Sequence, residues 1–257
     1  MNYIIFDLEF NQYYNFKEGQ NDEANPKCPF EIIQIGAVKL DTNLNTISTF
    51  NKIVRPELYT RIHPYVKEIT NITMEQLSTG VSFKETYKEF IQFIDAKSIF
   101  CIWGMADIKE FLRNAEYYKL ETSSIPKKYI NVQQYASKYF NFPRGSNIGL
   151  SKAVTLLNIQ SNALFHDAFN DAYYTAEVFK KIYNNEMKPK IYNNIIGRYS
   201  DRNSSSKGTI DTFNLIKQFE KMFKREMTEE EISIIKLAYI MGKTGQFFKE
   251  QKTDTNV

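Results

Sequence analysis

Residues 3–10 read YIIFDLEF, an apolar run broken only by Asp7 and Glu9. A short stretch so rich in Ile and Phe is expected to be a strand buried on both faces, at the centre of a sheet. Side chains alternate across a strand, so Asp7 and Glu9 leave the same face, about 7 Å apart along the backbone. Carboxylates in such a strand are costly to bury unless they are paired or bind a cation. The structural alternative is a strand that ends at Asp7.

The segments EIIQIGAVKL (31–40) and ISTFNKIV (47–54) predict two further strands and an antiparallel meander. The period then changes. SFKETYKEFIQFI places Phe83, Tyr87, Phe90, Ile91 and Ile94 at helical spacing, and Ser82 with Glu85 forms a capping-box signature. SIFCIW (98–103) and YINV (129–132) predict strands, ADIKEFLRNAEYY a helix, and further helices are expected near 133–140, 149–157 and 167–185. A meander followed by alternating helices and strands is the order of an α/β ribonuclease-H-like fold, a central mixed five-stranded sheet flanked by helices.

The polar, Ser-rich stretch at 193–209 reads as a linker. The expected organisation is a domain over 1–185, a linker over 186–210 and a C-terminal helical hairpin over 211–250. Within the hairpin TFNLIKQFEKMFKR is amphipathic, Thr228 with Glu231 makes a second capping box, and Gly242 ends the last helix.

The 33 basic and 30 acidic residues are too balanced for a protein that clamps nucleic acid by bulk charge, so any such contact must be local. Residues 1–185 carry 20 of each, and the net +3 lies in the tail. Cys28 and Cys101 fit neither a zinc site nor a disulfide framework. With no 18-residue apolar stretch and no signal-peptide core, no membrane association and a cytoplasmic location are expected.

Three more candidates join the two acids. Asp107 follows the strand SIFCIW and a GMA step, where α/β proteins place functional loops, although acids are also favoured in any first helical turn. In HDAFNDA, His166 and Asp171 would not share one helical face. They can converge if His166 precedes the helix, Asp167 caps it and Asp171 projects from its first turns. The plainer alternative is a capping cluster beside a surface histidine. Taken together, Asp7, Glu9, Asp107 and Asp171 are hard oxygen ligands suited to two Mg²⁺ ions, with Mn²⁺ as substitute, and His166 is suited to general-base work in phosphodiester hydrolysis.

FDLE, WGMAD and HDAFND, in this order and spacing, resemble the three motifs of the DEDDh exonuclease superfamily. EIIQIGAV, the VRP segment, KEITNIT, INVQQY and GLSKAV resemble its Eri-like branch, which includes histone-mRNA 3′ exonucleases and bacterial relatives linked to sporulation control. The resemblance covers about residues 1–185. It implies a 3′-to-5′ exonuclease releasing nucleoside 5′-monophosphates, with Asp7, Glu9, Asp107 and Asp171 as metal ligands and His166 as base.

The chain departs from the family pattern at Phe10 and Asn11, where many members carry a small residue and Thr, and at Asn71, where Gly is common. Phe10 and Asn11 are expected beside the terminal base and sugar, Phe10 to stack and Asn11 to hydrogen-bond, with core packing of Phe10 as the alternative. The Asn11–Pro29 stretch, with Tyr13, Tyr14, Phe16 and Lys17, is either a channel lining or a plain surface loop. His63 is assigned a turn or surface role. The expected partners are 3′ ends of single-stranded RNA, with DNA possible, and a protein partner or second copy at the C-terminal helices. The rival function is a regulatory binding protein in which hydrolysis is incidental.

Overall fold

The computed structural model describes residues 1–15, 24–95, 97–143, 145–161, 163–192, 212–229, 231–232 and 234–235. Its contacts divide the chain into two compact units, Met1–Asn194 and Ile195–Val257.

In the first unit β1 (Tyr3–Gln12), β2 (Phe30–Leu40) and β3 (Thr46–Ile53) form the antiparallel meander. On its other side β1 pairs in parallel with β4 (Ile99–Ile102), which pairs in parallel with β5 (Lys128–Asn131). The order β3-β2-β1-β4-β5-β6 puts β1 inside the sheet, as its apolar run requires. All five expected strands are present. A sixth, β6 (Lys190–Ile191), adds antiparallel to β5, and Tyr192 N–H donates to the Lys127 carbonyl at 2.7 Å. Two residues carry no readable period, so the sheet has six strands where five are legible.

Two short helices, α1 (Pro64–Thr70) and α2 (Met74–Thr79), follow β3 where no helix was expected. Both have end signals: His63 caps α1 ahead of Pro64, and Thr73 with Gln76 makes a reciprocal capping box for α2. The expected helices follow as α3 (Phe83–Phe93), α4 (Ala106–Tyr117), α5 (Val132–Tyr139), α6 (Leu150–Leu156) and α7 (Ala168–Ile182).

Strand alternation divides the core between the two faces of the sheet. Tyr3 and Ile5 pack with Tyr174, Val178 and Phe179 of α7 and with Ala136, Ala153 and Val154 of α5 and α6. From the opposite face Phe6 meets Phe90 of α3, Phe100 of β4 and Phe111 of α4, at ring-centroid distances of 5.9, 4.8 and 6.1 Å. The result is a mixed sheet with helices on both faces, the ribonuclease-H-like plan.

In the second unit α8 (Thr212–Phe223) is followed by the expected capping box: Thr228 N–H donates to Glu231 and Glu231 N–H to the Thr228 hydroxyl. The linker at 193–209 and the hairpin beyond residue 235 lie outside the described residues. Both cysteines are buried and free. No helix among the described residues is long and apolar enough to cross a membrane.

Candidate active site

Asp7 and Glu9 face α7, and residues of β2 decide how closely α7 can approach them. Gly36 lies opposite Asp7 in the ladder. A Cβ at Gly36 would sit 2.2 Å from the backbone of Ala168 and Phe169, so only glycine lets the start of the helix rest on the sheet here. Gln34, opposite Glu9, clamps the same turn. Its Nε2 donates to Asp167 Oδ2 at 2.8 Å and to Asn51 Oδ1 at 3.1 Å, and its Oε1 accepts the Ala168 N–H at 3.2 Å. Asp167 is the N-cap, its Oδ1 accepting the Asn170 N–H at 2.9 Å. One turn on, Asp171 comes to Asp7 and Glu9: one carboxylate oxygen from each of the three lies within 4.8 Å of the others.

Asp107 reaches the same region from α4. The chain turns off β4 through Gly104, whose φ of +106° disfavours a side chain, and enters the helix at Ala106. Asp107 is only 6% exposed, and its carboxylate accepts hydrogen bonds from the backbone N–H groups of Asp107 and Leu8. It is not part of the compact triple, but its charge acts on Asp7 and Glu9. His166 is exposed and precedes the cap with a left-handed backbone (φ 64°), and its N–H donates to Asp171 Oδ2 at 3.2 Å. The segment before it is tied to α7 by the Tyr174 hydroxyl at Ala163 and by Asn170 Nδ2 at the Leu164 carbonyl.

The acids make one another costly to ionise. Burial, then the charges of Asp107, Glu9 and Asp171, hold Asp7 well above the carboxylate range. Burial, then Asp171 and Asp107, push Glu9 up to about 8. Asp107 rises to about 7 through burial, against the pull of its backbone donors. Asp171 rises to about 6, also through burial, with the His166 N–H opposing. Its Oδ1 is buried without a hydrogen-bond partner, which buried polar atoms rarely tolerate. Clustered carboxylates with an orphaned oxygen fit a hard divalent cation, which would satisfy the oxygen and relieve the repulsion.

Phe10 is partly exposed, its ring 6.3 Å from that of Phe30. Asn11 is placed differently from the sequence expectation. It is 0% exposed, its amide donates to the carbonyls of Tyr59 and Arg61, and its Oδ1 accepts the His63 N–H. Asn11 thus holds the segment leading into α1, with both amide hydrogens committed and its side chain buried away from a terminal sugar. Of the loop that follows, the Tyr14 ring packs against His63, while Phe16 and Lys17 lie outside the described residues. Sequence reasoning passed over Gln34 and Gly36. The signal was a polar residue and a glycine inside the apolar run EIIQIGAV.

The sequence profile of the family described as Exonuclease matches residues 4–179. Among curated proteins, 3′-5′ exoribonuclease 1 of Rattus norvegicus is 27% identical over 165 residues, 60% of this chain and 48% of that protein. The probable 3′-5′ exonuclease KapD of Bacillus subtilis is 25% identical over 194 residues, 73% of this chain and 88% of that protein. The chain spans about half the length of the rodent relatives it matches. Among solved structures, the nuclease domain of 3′hExo, a DEDDh family member bound to rAMP, superposes with a TM-score of 0.61 at 22% identity, covering 75% of this chain and 96% of that one. Pop2p of S. pombe, in its Mg²⁺- and Mn²⁺-bound form, superposes with a TM-score of 0.52 at 18% identity over 82% of this chain and 86% of that one. With a family match that runs from β1 into α7 and takes in Asp7, Glu9, Asp107 and Asp171, the chain belongs to the exonuclease family.

Proposed function

We propose that the chain is a metal-dependent 3′-to-5′ exonuclease that removes nucleoside 5′-monophosphates from single-stranded nucleic acid. The observation that carries this reading is the meeting of Asp7, Glu9 and Asp171 within 4.8 Å, with Asp171 Oδ1 buried and unpartnered. Asp7, Glu9 and Asp171 would hold one Mg²⁺ or Mn²⁺ ion, and Asp7 with Asp107 a second. Such a pair supplies Lewis-acid stabilisation of the charge that develops as the phosphodiester is cleaved.

The protein's own groups do the rest. His166, exposed at the edge of the acids, takes the proton of the attacking water on an imidazole nitrogen. The His166 N–H, fixed on Asp171 Oδ2, holds the base and a ligand in register. Phe10 offers a partly exposed ring on which the last base can stack. RNA is the favoured substrate because the rodent relatives are named 3′-5′ exoribonucleases. The two buried thiols suit a reducing compartment, so the cytoplasm is the proposed location. The intact set of acids argues against a purely regulatory protein.

The test is stepwise shortening of a 5′-labelled oligonucleotide, as RNA and as DNA, by purified protein with Mg²⁺ or Mn²⁺. The expected result is a ladder that EDTA and Asp171→Ala abolish. No shortening under any metal condition defeats the reading.

A further inference from the structure

The catalytic acids occupy the far half of β1, and a second concave surface lies where the parallel strands begin. It is a cavity of about 550 Å³ lined by Met1, Lys97, Ser98 and residues 123–128. From Met1, which lines the cavity, to Asp7, the nearer acid of β1, is roughly 20 Å at about 3.3 Å per residue, too far for one mononucleotide to span both.

The lining is lopsided in charge, with three lysines and no acid. None of the three forms an ion pair among the described residues. The acids nearby in sequence, Asp95 and Glu121, do not line the cavity and are already engaged. Asp95 binds Lys39 at 2.8 Å and the Asn2 side chain, while Glu121 accepts the Ser123 N–H at 2.8 Å. Three lysines around one hollow raise the local potential and draw in an anion.

Ser98 supplies an independent observation. It lines the cavity, is 3% exposed, and its Oγ is buried with no hydrogen-bond partner. A buried hydroxyl usually has one, and an acceptor oxygen brought by a ligand would complete it. Ser123 and Ser124 add two exposed hydroxyls, and Met1, Ile125 and Pro126 add an apolar wall. Phosphate suits the lysines and serines, a flat ring suits the apolar wall, and the volume lies in the range of small-ligand sites.

We propose that this cavity is a binding site for a nucleoside phosphate, separate from the catalytic acids. Its phosphate is held by Lys97, Lys127 and Lys128 with the Ser98 hydroxyl, and its base lies against Ile125 and Pro126. The inference does not depend on the nuclease reading, because the two sites share no residue.

The experiment is calorimetric titration of the full chain with adenosine diphosphate, adenosine and inorganic pyrophosphate. EDTA is present throughout, so that metal-dependent binding at the acids is silent. Adenosine diphosphate is expected to saturate one site, pyrophosphate to bind more weakly and adenosine not at all. Lys127→Ala with Lys128→Ala should weaken binding about tenfold or more, the loss expected for removing two charged contacts. Ser98→Ala should weaken it less, and Asp7→Asn should leave it unchanged. Both lysines are exposed, and an unchanged melting temperature shows that the double variant is folded. Absence of saturable binding, binding insensitive to the lysines, or equal affinity for pyrophosphate and adenosine diphosphate would each overturn the proposal.

Discussion

Gly36→Ala offers a sharp test of how the site is assembled. The new methyl carbon would meet Ala168 C and Phe169 N at 2.2 Å, whereas ordinary contact begins at 3.4 Å, so the start of α7 must retreat by about 1.2 Å. Because the obstructing atoms are backbone, no rotamer relieves the clash, and Ala168→Gly gives no rescue. Overpacking of this kind costs about 1–3 kcal/mol, or roughly 2–12 °C in melting temperature for a domain of this size. The retreat carries Asp171 and His166 away from Asp7 and Glu9, and a displacement of about 1 Å costs on the order of 10²-fold in rate. The assay is trimming of a labelled oligonucleotide under saturating Mg²⁺, read as kcat, alongside thermal melting. A variant with unchanged kcat and melting temperature would refute the claim that close seating of α7 on β2 builds the site. A stability loss with kcat intact would separate packing from positioning.

Other outcomes follow from the same geometry. His166→Ala should lower kcat by about 10²–10⁴-fold while Mn²⁺ binding, followed by calorimetry, is retained; loss of both would make the histidine structural. The metal-free protein should lose stability as pH rises from about 4 to 8. Glu9, Asp107 and Asp171 keep protons in the folded state, up to about 8, 7 and 6, that an unfolded chain releases near 4. Melting scans across that window should slope downward in EDTA and flatten in Mg²⁺; a rising curve in EDTA would contradict the electrostatics. Asn11→Ala should act on stability, by about 2–4 kcal/mol for a buried amide with three partners, and little on the KM for an oligonucleotide. The reverse pattern would restore a substrate role to Asn11.

Much of the frame was legible because its signals are local. The apolar run around Asp7, the Ser82 capping box and the change from a two-residue to a helical period each depend on a few neighbouring residues, and β1–β5 and α3–α7 lie where those signals put them. Asp167 could be read as a cap because its role is set by the residues that follow it. Asn11 was misread for the opposite reason: its partners at Tyr59, Arg61 and His63 are some 50 residues away, and nothing near Asn11 announces them. Gln34 and Gly36 escaped notice likewise, since their importance appears only when α7 is laid across β2. Helices α1 and α2 were missed despite legible caps, being too short to display an apolar period.

The placement of the acids also bears on the order of synthesis. Asp171 follows Asp7 by 164 residues, and among the described residues of the first unit α7 is the last helix. At roughly 5–20 residues per second a ribosome needs about 8–33 s to cover that interval. Throughout it the emerging polypeptide holds the first two carboxylates without the third, so the compact triple of acids cannot assemble until α7 has been made.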